Sequence, residues 1–488
     1  MTSDALDVSG GAGGVIAKYD DMRSAAGGLD RIANGLTERE PVIGAVMRDG
    51  DLIESAVLSP GTAAQVAAQV TAATVGPHGL VVSAARLQAT SLGLTVAVEA
   101  YQTLDDALAR ATTVGQAFAT PAVLAGWLET EGMRITGGVL TGDVDLNDIP
   151  GLLAQDGKNL LYQNPWLVDG VINNSPAMMW ALSAAAGPGG TALLGAWANR
   201  EGAGFPPLSV QDATGDVVAF GGRFGLFRSG SGQAALVPPT PGQSPLVASK
   251  SMTAPTNLST TMTGISELGR QPGTVRIFDV PQPDGSRRWV VEIPGTQVWS
   301  PTAGTNPVDL TNNVRLMAGQ QTEQNDAIRK AMRLANIQPG EPVLLAGHSQ
   351  GGITAASLAA DPATRDEFHI TNVYTGGAPI AGFTIPDDVN VLSIEHEQDA
   401  VPRLDGQDNP AGPNWVTVRR DPTGVVNHQG NAVDDTMETH DSSVYAGTAD
   451  LVDKSTDPTV VRQRQSFEPF FTGTGNPPGV YQLTRDVP

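Results

Sequence analysis

The sequence predicts an α/β protein: a C-terminal, mainly parallel sheet with flanking helices, preceded by an N-terminal α-helical bundle. Three observations predict this fold class. Apolar residues near the N-terminus recur at steps of three and four, as on one face of a packed helix. In the C-terminal half, short apolar runs alternate with helical segments, the order of a parallel sheet with crossover helices. An apolar run at residues 343–346 leads directly into a glycine-rich turn and a helix-forming segment at residues 353–360.

The N-terminal part is predicted to be a helical hairpin or bundle. Residues 15–36 carry apolar side chains at alternating steps of four and three, and Pro41 is expected to interrupt that helix. A second helix is predicted at residues 62–73 and a third, the longest, at residues 80–108. Residues 1–14 are rich in Gly, Ser and Asp, so we expect them to be frayed.

This helical region resembles the WXG100-like substrates of type VII secretion. The resemblance rests on a helical hairpin followed by Tyr-x-x-x-Asp on the second long helix, here Tyr101 to Asp105. The turn is Gly-Pro-His-Gly in place of Trp-x-Gly. The resemblance implies a secretion-system partner and export by a leaderless route. The alternative is that Tyr101, which falls on the packing seam, is a core residue and the bundle is structural.

The chain is predicted to have three parts: the helical bundle at 1–130, a mixed helical segment with a Gly/Pro-rich linker at 131–255, and an α/β domain at 256–488. The linker is assigned to residues 221–255. Within the α/β domain we expect strands at 274–280, 288–293, 342–346, 370–374, 389–394 and 415–419, a hairpin turn at Asp284-Gly285, and one amphipathic helix at 313–335.

Composition excludes several classes of function. The net charge of −22, from 29 basic and 51 acidic residues, repels phosphate backbones, so we expect no nucleic-acid partner. The chain has no cysteine, which rules out disulfides and cysteine metal sites. The first thirty residues lack the pattern of a Sec signal peptide, and the most apolar window, 177–186, is short of the ~18 residues that span a bilayer. We therefore expect a soluble protein, cytoplasmic unless the leaderless route applies.

The glycine-rich turn predicts a nucleophilic serine. Gly347, Ser349 and Gly351 form G-x-S-x-G between a strand and a helix, which is the context of a nucleophile elbow. The glycines are needed because side chains at the flanking positions would collide with neighbouring backbone. The helix that begins there directs its N–H groups at a reacting carbonyl. Ser349 is therefore the predicted nucleophile.

The base and the acid are sought after Ser349, in the chain order Ser, acid, His. Asp399 directly follows the strand at 389–394 and is the preferred acid, with Glu397 as the alternative. His440 opens a helical segment after a long loop and is the preferred base, with His428 as the rival. Two other histidines, His369 and His396, are set aside because the first precedes a strand and the second comes before the acid.

Two backbone N–H groups are expected to form an oxyanion hole. One belongs to Gln350, the residue after the nucleophile. The other is assigned to Thr296, with Gln297 next, because Gly295 lets the chain turn sharply after the strand that ends at residue 293. This chemistry requires no metal and no organic cofactor.

The C-terminal part resembles the class 3 (fungal-type) lipases of the α/β-hydrolase fold. Its motifs, in chain order, are Pro294-Gly295-Thr296 at the oxyanion strand end, Gly347-His348-Ser349-Gln350-Gly351-Gly352 at the elbow, Thr375-Gly376-Gly377-Ala378-Pro379-Ile380-Ala381-Gly382 at the next strand end, Asp399-Ala400-Val401-Pro402, and His440 near a helix start. Two positions depart from the family: Pro294 replaces an arginine, and Gln350 replaces a leucine, which is similar to the elbow of cutinases.

The resemblance implies hydrolysis of acyl-lipid esters by a triad of Ser349, Asp399 and His440. It also implies a lid at residues 298–310, which contains Trp299, and transient contact with a lipid interface. Because a triad fixes the mechanism and not the substrate, a thioesterase, a peptidase and an acyltransferase are alternative functions. A non-catalytic scaffold is the alternative from a different class.

Overall fold

The computed structural model describes residues 5–11, 19–76, 78–101, 209–237, 254–472 and 477–486, together with positions 163 and 172. The chain divides into two compact units, Val15–Asn174 and the combination of Met1–Gly14 with Ser175–Pro488. Most of the predicted mixed segment 131–255, the end of the predicted third helix and the acidic half of the Tyr101 motif lie outside the described residues. The three predicted domain limits stay predictions.

The first unit is helical in its described part. Its elements are α1 (Tyr19–Gly44), a 3₁₀ turn (Ala45–Arg48), α2 (Gly50–Leu58), α3 (Pro60–Val75) and α4 (Leu80–Tyr101). Helix α1 packs along α4. The buried residues of this seam are small, among them Ala26 and Ala33, and the Ser91 hydroxyl on α4 donates to the Ala26 carbonyl at 2.9 Å. Small side chains let the two backbones approach closely enough for that hydrogen bond.

Pro41 does not interrupt α1, so that expectation is wrong. The helix continues through Pro41 and ends one turn later, at Gly44. A proline removes one backbone hydrogen bond and crowds the preceding turn. Here that cost falls in the last turn of a 26-residue helix, most of which lies on the N-terminal side of the proline and keeps its own hydrogen bonds.

The second unit contains, in the part that is described, one nine-stranded sheet with helices. The strands are β1 (Leu6–Gly10), β2 (Ser231–Leu236), β3 (Thr274–Pro281), β4 (Arg287–Ile293), β5 (Pro342–His348), β6 (His369–Gly376), β7 (Asn390–His396), β8 (Trp415–Arg420) and β9 (Gly479–Asp486). The helices are α5 (Val210–Gly222), α6 (Leu258–Leu268), α7 (Leu310–Met317), α8 (Glu323–Leu334), α9 (Gln350–Ala360), α10 (Pro362–Glu367), α11 (Thr436–Thr439), α12 (Ser442–Lys454) and α13 (Pro458–Phe467). The strand order is β1-β8-β7-β6-β5-β4-β3-β9-β2.

The sheet is mixed. The five strands β4 to β8 run parallel to their neighbours, and the strands at both edges, together with the β3–β4 pair, are antiparallel. Strand β5 lies in the middle and is apolar on both faces: Val343 and Leu345 join one hydrophobic core, and Leu344 and Ala346 join the other. The α/β class predicted from the alternation of strands and helices is therefore confirmed. Because the carboxyl ends of parallel strands meet at one edge, the loops after β4, β5 and β7 converge there.

Three segments differ from the sequence expectations. The predicted helix at 313–335 is two helices, α7 and α8, because Gly319 adopts a positive φ of 70° between them. The predicted frayed N-terminus contains β1, which pairs with β8 while Leu6 and Val8 pack on the core. The predicted linker at 221–255 contains β2, which pairs with β9 at the other edge of the sheet. Both edge strands are fixed by pairing with distant strands.

Candidate active site

The strand–turn–helix around Ser349 has a strained backbone. Ser349 lies between β5 and α9 with φ 53° and ψ −125°, a conformation that non-glycine residues rarely adopt. Its N–H donates to the Gly376 carbonyl at 2.9 Å. A β-carbon on Gly351 would lie 2.1 Å from the Ile293 carbonyl oxygen, and one on Gly347 would lie 2.2 Å from the carbonyl carbon of Gly351. The turn therefore requires glycine at both positions, as the G-x-S-x-G spacing predicts.

The structure brings Asp399 and His440 together. The Nδ1 atom of His440 is 2.7 Å from Oδ2 of Asp399, a residue that is fully buried in the loop after β7. The two alternatives lie elsewhere: Glu397 is exposed, and Nδ1 of His428 faces the Ser443 hydroxyl at 3.0 Å. The geometry therefore favours the Asp399–His440 pair among the candidates that the sequence left open.

Asp399 is held as a carboxylate by its hydrogen bonds. The Val401 N–H donates to Oδ1 at 2.8 Å, and the Tyr445 hydroxyl donates to Oδ2 at 2.7 Å. Burial raises the pKa of Asp399, but the charge and hydrogen bond of His440, with these two donors, outweigh burial, so the pKa lies below its ordinary value. A buried carboxylate in contact with Nδ1 can fix the tautomer of His440 and stabilise its protonated form.

A second histidine ties His440 to the elbow. The Nε2 atom of His348, the residue before Ser349, is 2.9 Å from the carbonyl oxygen of His440, and the two rings are 4.7 Å apart. Because a carbonyl only accepts, Nε2 of His348 carries the proton. Burial, followed by the neighbouring His440, lowers the pKa of His348 to about 3, so the ring is neutral near pH 7. The segment that carries His440 is thereby held beside the turn that carries Ser349.

The turn after β4 lies against the nucleophile. A β-carbon on Gly295 would lie 3.2 Å from Cβ of Ser349, so a side chain at this position would crowd the serine. The N–H groups of Thr296 and Gln350 make no hydrogen bond to any residue in the described part of the chain. Gln350 opens α9, where the first N–H groups of a helix have no partner within the helix. Within the described ranges, both N–H groups therefore lack a partner, as the prediction of an oxyanion hole requires.

Gln297 is less suited to that role. Its N–H donates to the Val308 carbonyl at 2.9 Å, so it is already engaged. Thr296 is also held from the side, because the amide of Asn313 on α7 donates to its hydroxyl oxygen at 2.7 Å. Between the two candidates for the second oxyanion donor, the geometry favours Thr296.

The two ends of the segment at residues 298–310 lie side by side. Val298 pairs with Asp309 in an isolated bridge, and between them Trp299 has 66% of its surface exposed. The far end is anchored by Gln350, whose side-chain amide donates to the Asp309 carbonyl at 2.9 Å, and by a fully buried ion pair between Asp309 and Arg485 at 2.6 Å. Gln350 thus joins the turn at Ser349 to this segment.

Two residues of the site were not found from the sequence. Tyr445 on α12 donates to Asp399, and the ring of His396, at the end of β7, stacks on the Tyr445 ring with 3.8 Å between centroids. His396 was set aside because it precedes the acid. A tyrosine five positions after the base carries no pattern of its own, so only the packing of α12 against the end of β7 reveals it.

The described residues contain no group of three or more His, Asp or Glu side chains arranged to hold a metal ion. Within those same ranges, no helix is long and apolar enough to cross a bilayer. No family model, curated protein or solved structure matches the chain, so the site is interpreted from its own geometry and the resemblance to class 3 lipases stays a prediction.

Proposed function

We propose that the sheet unit is an α/β-hydrolase and that the protein is a serine hydrolase of carboxylic esters. The observation that carries the proposal is Ser349 in its strained turn, preceded by His348, which binds the backbone of the Asp399-paired His440. The N–H groups of Thr296 and Gln350 have no partner among the described residues. A strained turn, a buried ion pair or a free helix N-terminus can each occur in a protein without catalytic activity. Acyl transfer to a serine requires a base for its proton and a carboxylate that orients the base. The proposal is supported by the combination found here: a positive-φ serine between a parallel strand and a helix, and a carboxylate–imidazole pair bound to the residue before that serine.

In the proposed reaction the Ser349 oxygen attacks the ester carbonyl and its proton passes to Nε2 of His440, because Nδ1 is engaged by Asp399. The N–H groups of Thr296 and Gln350 hold the negative oxygen that forms. When the C–O bond to the alcohol breaks, His440 returns the proton to the departing alcohol, and Ser349 is left as an acyl ester. Water then gives a proton to His440 and attacks this ester. The bond to Ser349 breaks, the acid is released, and His440 returns the proton to the Ser349 oxygen.

The proposed substrates are acyl-lipid esters. Supporting this choice, Trp299 lies three residues after Thr296 and exposes 66% of its surface, so an apolar side chain is available to an acyl chain or a lipid interface. A preference for long chains, or a rate that rises above the solubility limit of the ester, is the expected behaviour.

The test is hydrolysis of p-nitrophenyl esters from acetate to palmitate, together with labelling by a fluorophosphonate probe. We expect Ser349→Ala to lose both turnover and labelling. Ser286→Ala, in the exposed β3–β4 turn, is the matched control and keeps both. Labelling of Ser349 with no hydrolysis of any ester would redirect the search to thioesters, amides and acyl transfer. Absence of both turnover and labelling in the wild type would refute the hydrolase proposal and favour a scaffold.

A further inference from the structure

One imidazole that takes no part in the proposed reaction lies at the junction of three elements around the base. His396 is the last residue of β7 and is 2% exposed. Its Nδ1 is 2.8 Å from the carbonyl oxygen of Thr439, the residue before His440. Its Nε2 is 2.8 Å from the hydroxyl of Thr448 on α12. The ring therefore contacts the segment that presents the base and the helix that follows it.

The same residue orients Tyr445. The rings stack with an angle of 18° between their planes, and the His396 backbone N–H donates to the Tyr445 oxygen at 3.2 Å. The tyrosine hydroxyl has a single proton, which it donates to Asp399. Because one lone pair is occupied by the His396 N–H, the hydroxyl cannot easily rotate away from the carboxylate. His396 thus acts on the acid through Tyr445 and on the base through Thr439.

The hydrogen-bond partners determine the protonation of His396. The Thr439 carbonyl only accepts, so Nδ1 carries a proton, and Nε2 must then accept from Thr448. The Thr448 hydroxyl in turn accepts from Arg420 of β8 at 3.0 Å. A proton on Nε2 would have to share the Thr448 oxygen with the Arg420 guanidinium, and the Thr448 hydroxyl proton would have to turn to the Val444 carbonyl at 3.3 Å, so the neutral ring fits this site better than the charged ring.

The ionisable groups around the His396 ring shift its pKa in both directions. They are Asp399 from the loop after β7, Arg420 from β8, His440 after α11 and Tyr445 from α12. Burial lowers the pKa of His396 to about 4; the Thr439 carbonyl and then the charge of Asp399 raise it in part, while Arg420 and His440 lower it. The His396 ring is therefore neutral near pH 7.

We infer that His396 is a positioning residue: as a neutral imidazole it fixes the Thr439–His440 backbone and the Tyr445 hydroxyl, and so sets the contact between His440 and Asp399. This inference deepens the proposed function and rests on it for its kinetic consequences. The geometric part, the effect of His396 on the His440–Asp399 hydrogen bond, can be measured without any substrate.

The experiment compares three variants with the wild type. His396→Phe keeps the aromatic stack and loses both nitrogens. His396→Asn keeps an amide N–H near the position of Nδ1 and loses the stack. Thr448→Val is nearly isosteric and removes the hydroxyl that faces Nε2, together with its contacts to Arg420 and the Val444 carbonyl, so it also tests the inference if the Phe variant folds poorly. His369→Phe is the matched control, since this exposed histidine also meets a backbone carbonyl, at 3.2 Å, at the start of β6.

The substrate-free measurement is the low-field NMR resonance of the proton between His440 and Asp399. We expect the resonance to shift or broaden in His396→Phe, to change less and in the same direction in Thr448→Val, and to be retained in His396→Asn and His369→Phe. An unchanged resonance in both His396→Phe and Thr448→Val would overturn the inference, whatever reaction the protein catalyses.

The kinetic measurement is the pH profile of ester hydrolysis. A displacement of the base by about 1 Å is enough to lower turnover about 10²-fold, so we expect a loss of that order in kcat for His396→Phe, with KM unchanged and the acidic limb of kcat/KM displaced. His396→Asn should recover most of the loss. If both His396 variants lose activity only in proportion to their lost stability, and the acidic limb does not move, the residue is structural. A wild type without esterase activity refutes the proposed function but leaves the NMR comparison valid.

Discussion

A buried carboxyl near the site, Asp405, makes the stability of the sheet unit depend on pH. Asp405 ends the 3₁₀ turn Pro402–Asp405 and is 8% exposed. Its Oδ2 accepts from the Ala381 N–H at 2.8 Å, which ties the loop after β6 to the loop that carries the acid. Burial raises the pKa of Asp405 from 3.8 to about 7, against the lowering effect of the N–H groups of Ala381 and Gln407, and Glu395 adds to the increase.

The direction of this pH dependence follows from the raised pKa of Asp405. Between the unfolded pKa and the folded pKa the native state binds more protons, so this group stabilises the fold fully below pH 3.8 and loses that contribution as the pH rises through about 7. Each pKa unit corresponds to about 1.4 kcal/mol. Integration of this proton-binding difference from pH 5 to pH 8 gives a decrease on the order of 2–3 kcal/mol in the free energy of unfolding.

Asp405→Asn has no charge to bury and should not show this loss. The assay is urea unfolding at pH 5, 6, 7 and 8, followed by hydrogen exchange of the β6 and β7 amides so that the sheet unit alone is read. We expect the free energy of unfolding of Asp405→Asn, relative to that of the wild type, to rise by roughly 2–3 kcal/mol between pH 5 and pH 8. Asp387→Asn, at an exposed carboxyl, is the control and should follow the wild type. Parallel pH dependences of Asp405→Asn and the wild type would refute the reasoning.

Three further changes test the elbow, the acid and the exposed segment. Gly351→Ala places a methyl group 2.1 Å from a β4 carbonyl oxygen and should abolish probe labelling or folding. The control, Gly447→Ala on α12, has open space around it and should leave labelling intact and raise the melting temperature slightly. Tyr445→Phe removes one donor to the charged Asp399 and should cost about 1.5–3 kcal/mol in urea unfolding, with a lower kcat; an unchanged kcat would remove Tyr445 from the site. Trp299→Ala should alter stability by less than about 0.5 kcal/mol and lower the rate on long-chain esters more than on acetate; equal rate losses on both would argue against an acyl-chain contact.

The fold class could be predicted because it depends on local patterns. Strands β4, β5 and β6 are short apolar runs separated by helices, and this alternation indicates a parallel sheet. The edges could not be predicted in the same way. Strand β1 is five residues long and lies in a Gly/Ser-rich stretch, and it is formed by pairing with β8, some 400 positions later. The helix at 313–335 was predicted as one because amphipathic periodicity reports which face is buried and does not report a break at Gly319.

The same distinction applies to the candidate site: residues marked by a local pattern could be predicted, and residues placed by packing could not. Ser349, Asp399 and His440 could be proposed from residue type and chain order, because the first two follow strand ends and the third lies two residues before α12. His396 and Tyr445 are 49 positions apart, and their relation exists only because α12 packs on the end of β7. Such supporting contacts leave no mark in a single sequence. The residues proposed to carry chemistry are therefore easier to predict than the residues that hold them in place.

The chain order also affects how the helical unit can be studied. Strand β1 precedes the helical unit, and the other strands of its sheet follow it. A deletion of the N-terminal 120 residues would thus remove β1 together with the helices and leave one edge of β8 unpaired. Because an unpaired edge invites aggregation, loss of export or of activity in such a deletion would not distinguish a secretion signal from a damaged sheet. A deletion limited to the described helices, α1 to α4, keeps residues 5–11, so any change in export can be assigned to the helical unit itself.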